Sequence, residues 1–242
     1  MRSNEASDLP GFRLRGREVT RLESFSDAVF GFALTLLVVS LDVPKSFDDL
    51  LSTMRGFPAF ALCFLFLALI WNGHYKFCRR YGLDDGTARF LTCVMLFLVL
   101  FYVYPLKFLF NISIASLLFG TNLPVSMSQS QFTTLLVVYG LGFAAVYAAM
   151  ALLYLHAYRL RAALELSPLE KFDTRYQLFR LLTLAGMGLI AAALACVPLF
   201  QKASPLVYLL LIPILRVSRL IHRRRRAQYF VAAETEQAVT QT

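Results

Sequence analysis

Residues Arg21 to Pro44, RLESFSDAVFGFALTLLVVSLDVP, set the terms for the rest of the chain. Three charges open the stretch (Arg21, Glu23, Asp27), fourteen uncharged residues follow from Ala28 to Leu41, and Asp42 and Pro44 end it. Ser24 or Ser26 is placed to N-cap a helix, and proline cannot donate to its ladder. From Ser24 to Asp42 such a helix rises about 28 Å, roughly the hydrocarbon thickness of a bilayer. At about 100° per residue, Phe32, Leu36 and Val39 share a stripe with Thr35 on its edge, while Asp27 points away from it. A carboxylate just inside an apolar span is costly, so it needs water or a partner. A helix wrapped only by lipid has no need of that division of faces; a helix between a pore and its neighbours does. Helix packing alone also yields apolar stripes, and headgroup water would also satisfy Asp27, so these residues by themselves leave both readings open.

The chain around this stretch is that of an integral membrane protein. Its 242 residues are 58% hydrophobic with a mean hydropathy of +0.60, too apolar for a soluble domain. Uncharged runs predict further spans at 56–73, 90–110, 133–155 and 181–200. A sixth must continue past Arg216, Arg219 and His222, because only thirteen uncharged residues separate Lys202 from Arg216. Between the spans, 45–55 reads as a short charged loop, 111–131 as a polar loop and 159–180 as a charged linker. Within that linker, Ser167-Pro168-Leu169-Glu170 is placed to start a short amphipathic helix. The first twenty residues are polar, unlike a cleavable signal peptide. The expected organisation is a polar cytoplasmic N-tail (1–20), a six-helix membrane domain (21–222) and a basic, polar cytoplasmic C-tail (223–242).

Lys and Arg give the orientation. Twenty of the 24 fall in the N-tail, the 74–89 loop, the 159–180 linker and the segment from Arg216 onward. Only Lys45, Arg55 and Lys202 lie on the other side, and Lys107, inside the third span, is placed to snorkel outward. Six spans with both termini cytoplasmic satisfy this distribution, in a cell membrane of the bacterial inner-membrane kind. The run Arg223, Arg224, Arg225, Arg226 is expected to meet anionic headgroups, not nucleic acid. The four cysteines are scattered without a C-x-x-C, the pattern of buried thiols. No metal-ligand cluster, phosphate loop or nucleophile constellation is present, which argues against an enzyme and against a cofactor.

Arg21-x-x-x-Phe25-Ser26-Asp27 followed by AVFGFALTLLVVSLDVP resembles the signature of the transmembrane protein 175 family, potassium channels of endosomes, lysosomes and prokaryotes. Trp71-x-x-His74 and Pro105 also fit that family's pattern. The resemblance implies an all-α fold of six membrane helices per subunit, a homotetramer of the single-repeat prokaryotic type, and a pore lined by the first helix. It places Phe32, Thr35, Leu36 and Val39 at the axis, with K+ as the permeant ion. It also makes Arg21, Phe25, Ser26, Asp27, Trp71 and His74 a structural motif near the cytoplasmic ends of the first two spans. The family's first constriction is normally isoleucine or leucine, and here it is Phe32, a larger ring that narrows the layer. An apolar constriction gates by dewetting. No TVGYG-type carbonyl filter is visible, so potassium preference rests on the resemblance. The alternatives are an ion- or proton-coupled transporter, which would need more charge at the midplane, and a non-conducting membrane scaffold.

Overall fold

The computed structural model describes residues 11–39, 45–119 and 128–240, with the side chains of 38, 39, 52, 104, 111–119, 202 and 229–240 outside that description. The described residues are all helical or irregular. Helices run α1 Arg21–Val39, α2 Phe47–Arg55, α3 Phe57–Tyr81, α4 Gly86–Phe119, α5 Gln129–Arg159, α6 Pro168–Ala195 and α7 Leu211–Thr240, with a 3₁₀ segment, Gln201–Leu210, leading into α7. Among the described residues, five helical stretches are long and apolar enough to cross a membrane: Phe57–Tyr81, Gly86–Phe110, Gln129–Arg159, Pro168–Ala195 and Ala203–Gln228. The described part of α1 carries three charges in 19 residues, and its expected stop at Asp42 and Pro44 lies outside the described residues.

Several boundaries differ from the sequence reading, each for a local reason. The N-cap of α1 is Thr20, not Ser24 or Ser26: its hydroxyl accepts from the Glu23 N–H at 3.1 Å. The helix therefore starts a turn earlier, and the Ser26 hydroxyl donates to the Leu22 carbonyl instead. The expected loop at 45–55 contains α2, which Ser46 caps through the Asp49 N–H. Helix α4 continues to Phe119, through the first part of the expected polar loop, because no proline or glycine interrupts 111–119. Ser167 and Glu170 form a capping box with Pro168 in the first turn, but the helix they start does not stop. It runs on as α6 through the fifth span. Helix α3 ends at Gly82, whose φ of 59° is the left-handed conformation that glycine adopts freely.

The closest pair is α5 and α6. A Cβ placed on Gly188 would stand 2.7 Å from the Gly140 carbonyl oxygen, and one on Gly140 the same distance from the Gly188 carbonyl. The two backbones pass where no side chain fits, as small residues allow in membranes. The core is aromatic: Phe77, Tyr81 and Tyr154 meet with centroids 5.3–5.6 Å apart, and Phe12 sets its edge on Tyr81. Cys63 and Cys78 are buried as expected, but Cys93 on α4 and Cys196 in the turn after α6 are exposed, and all four are free thiols.

One end of the bundle gathers the basic segments. The N-terminal stretch donates from Arg15 N to the Arg80 carbonyl and from Gly16 N to the Arg79 carbonyl. Arg15 forks onto Glu170 at the start of α6, with both Nη–O distances 2.9 Å. Arg226 of α7 reaches both oxygens of Asp173 at 3.1 Å. Thus Arg226, expected to meet headgroups with its neighbours, faces inward one helical turn from buried His222, while Arg223, Arg224 and Arg225 are exposed.

Candidate functional site

Helix α1 has two unlike faces. Glu23, Ser26, Phe30, Ala33 and Leu37 recur every three or four residues and are buried. That face packs against α3 and α4. Opposite it, Phe32 is 59% exposed and Leu36 45%, with Phe25 above them on the same stripe and also exposed. Thr35 is exposed beside them, and its hydroxyl donates to the Phe32 carbonyl at 2.7 Å. The Val39 side chain lies outside the described residues. Leu34, by contrast, is half-buried against the core. Ser24, Ala28, Gly31 and Thr35 form an adjoining stripe of small exposed residues, and a Cβ on Gly31 would meet nothing within 4 Å.

The polar residues of the motif divide between two partners. Asp27 accepts a hydrogen bond from Trp71 Nε1 at 2.7 Å, which ties α1 to α3. Trp71 stacks on Tyr75 with centroids 5.8 Å apart. His74 is buried one turn further along, with Nε2 3.4 Å from the Thr92 hydroxyl of α4. Arg21 is exposed at the start of α1. Trp71 therefore joins Asp27, whereas His74 joins α3 to α4. At the other end of α1, Lys107 Nζ donates to the Leu37 carbonyl at 3.3 Å. The ammonium turns toward the helix C-terminus, where a cation is favoured, instead of snorkelling outward.

Sequence reasoning missed Thr20, Glu23, Thr92 and the Arg15–Glu170 pair. The spacing Thr20-x-x-Glu23 is a capping-box signal that was there to be read. Nothing in the local sequence pairs Arg15 with a residue 155 positions away.

A channel called "Potassium channel" from Marivirga tractuosa is 37% identical over 220 residues, covering 86% of this chain and 89% of that protein. The chain belongs to the TMEM175 family. The family profile, described as endosomal/lysosomal potassium channel TMEM175, matches residues 21–105, which hold α1, α3 and most of the α4 span. Its members are ion channels and not enzymes. A crystal structure of a variant of the potassium channel MtTMEM175 superposes with a TM-score of 0.80 at 36% identity, covering 89% of this chain and 98% of that one. A TMEM175 homologue from Chamaesiphon minutus, titled a lysosomal potassium-selective channel, shares the fold at a TM-score of 0.54 and 23% identity, covering 82% and 96% of the two chains. As in those TMEM175 chains, the architecture here is a multi-pass helical membrane bundle.

Proposed function

We propose that this TMEM175 chain is a potassium-permeable cation channel. Four six-helix subunits surround an axis lined by α1, and Phe32, Thr35, Leu36 and Val39 form an apolar constriction. The observation that carries the reading is the bare face of α1. A helix whose opposite side is packed into its own bundle leaves Phe32 and Leu36 uncovered at membrane depth, where a second copy of the same face is the natural cover. The small stripe at Ser24, Ala28 and Gly31 suits close approach by a neighbouring α1. The names of the relatives supply potassium as the ion.

In this reading α1 is the sixth span. The excess of Lys and Arg supports a cytoplasmic orientation for the end of the bundle where the basic segments gather, and with it cytoplasmic termini. Arg223, Arg224 and Arg225 meet anionic headgroups. The proposed division remains 1–20, 21–222 and 223–242, with the stretch from Gly11 packed onto the membrane domain and α7 running across the last boundary. Asp27 serves the scaffold through Trp71 and does not touch the permeant ion.

Passive flux of K+ and Na+ from proteoliposomes tests the assignment. Four phenyl rings at one level exclude water more fully than four isoleucines, so the wild type conducts poorly. Phe32→Ala raises flux and relaxes potassium over sodium discrimination, and Thr35→Val lowers discrimination modestly. Leu34→Ala chiefly costs packing, about 1–3 kcal/mol. If Leu34→Ala alters ion preference while Phe32→Ala does not, the pore face is on the wrong side of α1. Flux that requires a coupling ion makes the protein a transporter, and no flux in any variant makes it a scaffold.

A further inference from the structure

An open cavity of about 750 Å³ lies between α6 and α7. Its walls are apolar, with Phe179 from α6 and Pro213, Ile214, Val217 and Ile221 from α7, and most of these side chains are exposed. At one end the walls change character: Arg175 and Arg225 border the cavity, and His222 forms part of its floor. The His222 ring stacks on Tyr176 and Phe172, with centroids 3.9 and 5.0 Å away.

The acid that would neutralise this end is already engaged. Asp173 takes Arg226 Nε at 3.1 Å and has His222 Nε2 2.9 Å away. The next carboxylate along α6, Glu170, holds Arg15. Arg175 donates through Nε to the Tyr158 hydroxyl at 2.6 Å and lies over that ring at 5.1 Å. That contact fixes its direction, and among the described residues no carboxylate lies within ion-pair distance of it. Arg225 is exposed and, among the described residues, has no carboxylate within ion-pair distance. The two cations stand at the end where the basic segments gather. The apolar walls run from there along α7 for roughly 16 Å, from Arg225 to Ile214.

We propose that this groove binds an anionic phospholipid, its phosphate between Arg175 and Arg225 and an acyl chain along Phe179, Ile214 and Val217. The charge complementarity at one end and the apolar walls at membrane depth select that occupant. A free anion would use only the cations, and a neutral lipid only the walls. Basic pockets between membrane helices on the cytoplasmic side hold anionic headgroups in the same manner. The site rests on the membrane reading of the chain and is independent of whether the axis conducts.

Native mass spectrometry of the full-length protein in detergent tests it, with phosphatidylglycerol and phosphatidylcholine of identical chains as probes. The wild type retains phosphatidylglycerol preferentially. Arg175→Gln/Arg225→Gln lowers that preference by roughly 30-fold, two cations' worth of attraction. Arg216→Gln/Arg219→Gln removes the same charge from exposed positions of α7 and leaves the preference intact. Val217→Trp fills the groove without touching a cation, and lowers retention of both lipids. The proposal is overturned if the first pair keeps the preference or the control pair loses it equally. Displacement of phosphatidylglycerol by millimolar inorganic phosphate, leaving no lipid bound, also overturns it. So does Val217→Trp if it changes subunit number while lipid retention stays the same, since the groove's occupant is then a second copy. The flux of the wild type is read separately, so failure here leaves the channel reading standing.

Discussion

Replacing Glu170 by glutamine keeps the shape of the side chain and turns one of its two acceptor oxygens into a donor. In the native chain Oε1 accepts from Arg13 N at 2.8 Å and Arg15 Nη1 at 2.9 Å, and Oε2 accepts from Arg15 Nη2 and Ser167 N, both at 2.9 Å. Whichever way the amide turns, two N–H groups face another N–H. The Glu170 side chain is 3% exposed and that of Arg15 11%, so water does not repair the loss. At about 1.5–3 kcal/mol for each bond to a charged group, two lost bonds come to about 3–6 kcal/mol. Removing one partner of a buried ion pair costs about 3–5 kcal/mol, within that range. With roughly 2–4 °C per kcal/mol for a chain of this size, melting falls by about 10 °C. The assay is thermal unfolding in detergent, followed by the fluorescence of Trp71, the single tryptophan. A double-mutant cycle with Arg15→Gln isolates the pair: the double variant melts no lower than Glu170→Gln alone. Melting within about 2 °C of wild type, or additive losses in the cycle, refutes the view that this contact straps the segment before α1 to α6.

Gly188→Ala drives a methyl to 2.7 Å from the Gly140 carbonyl, so it costs about 1–3 kcal/mol or prevents folding, measured as monodisperse yield and melting temperature. A Cβ at Gly31 meets nothing within 4 Å, so Gly31→Leu leaves subunit stability unchanged and reduces the tetramer fraction seen by crosslinking. Asp27→Asn weakens the charge-assisted bond from Trp71 and lowers tetramer recovery, while the K+/Na+ permeability ratio of surviving channels stays near that of wild type. A pH series tests Asp85, where burial pushes the carboxyl up but the His156 hydrogen bond at 2.8 Å and the Ala88 N–H outweigh it and hold it below the ordinary value. Its folded value being depressed, its stabilisation is complete above the unfolded value of about 3.9 and is lost as pH falls through the folded one. Asp85→Asn is thus less stable than wild type at pH 6, and the gap closes in the acid range.

Composition and periodicity are local properties, and what they determine was legible in the chain before any fold. Long uncharged runs dictate membrane helices, and the side on which Lys and Arg accumulate is the basis for the proposed orientation. The wheel of residues 21–39 separates Phe32 and Leu36 from Asp27, because the angle between positions on one helix needs no partner. Even the start of α6 at Ser167 and Glu170 is written within four residues. Helix continuity was harder to see: 111–119 and 169–180 are polar enough to look like loops, yet they lack the proline or glycine that would break a ladder already formed. What only the tertiary structure decided are the contacts between distant segments. Asp27 has Trp71 as its partner, His74 has Thr92, Lys107 turns to the end of α1, Arg15 grips Glu170 and Arg226 turns inward to Asp173. A charged side chain carries no record of which opposite charge it will meet. That choice is made when helices dock, and the geometry of docking is set by residues such as Gly140 and Gly188, far along the chain from the charges whose pairing it settles.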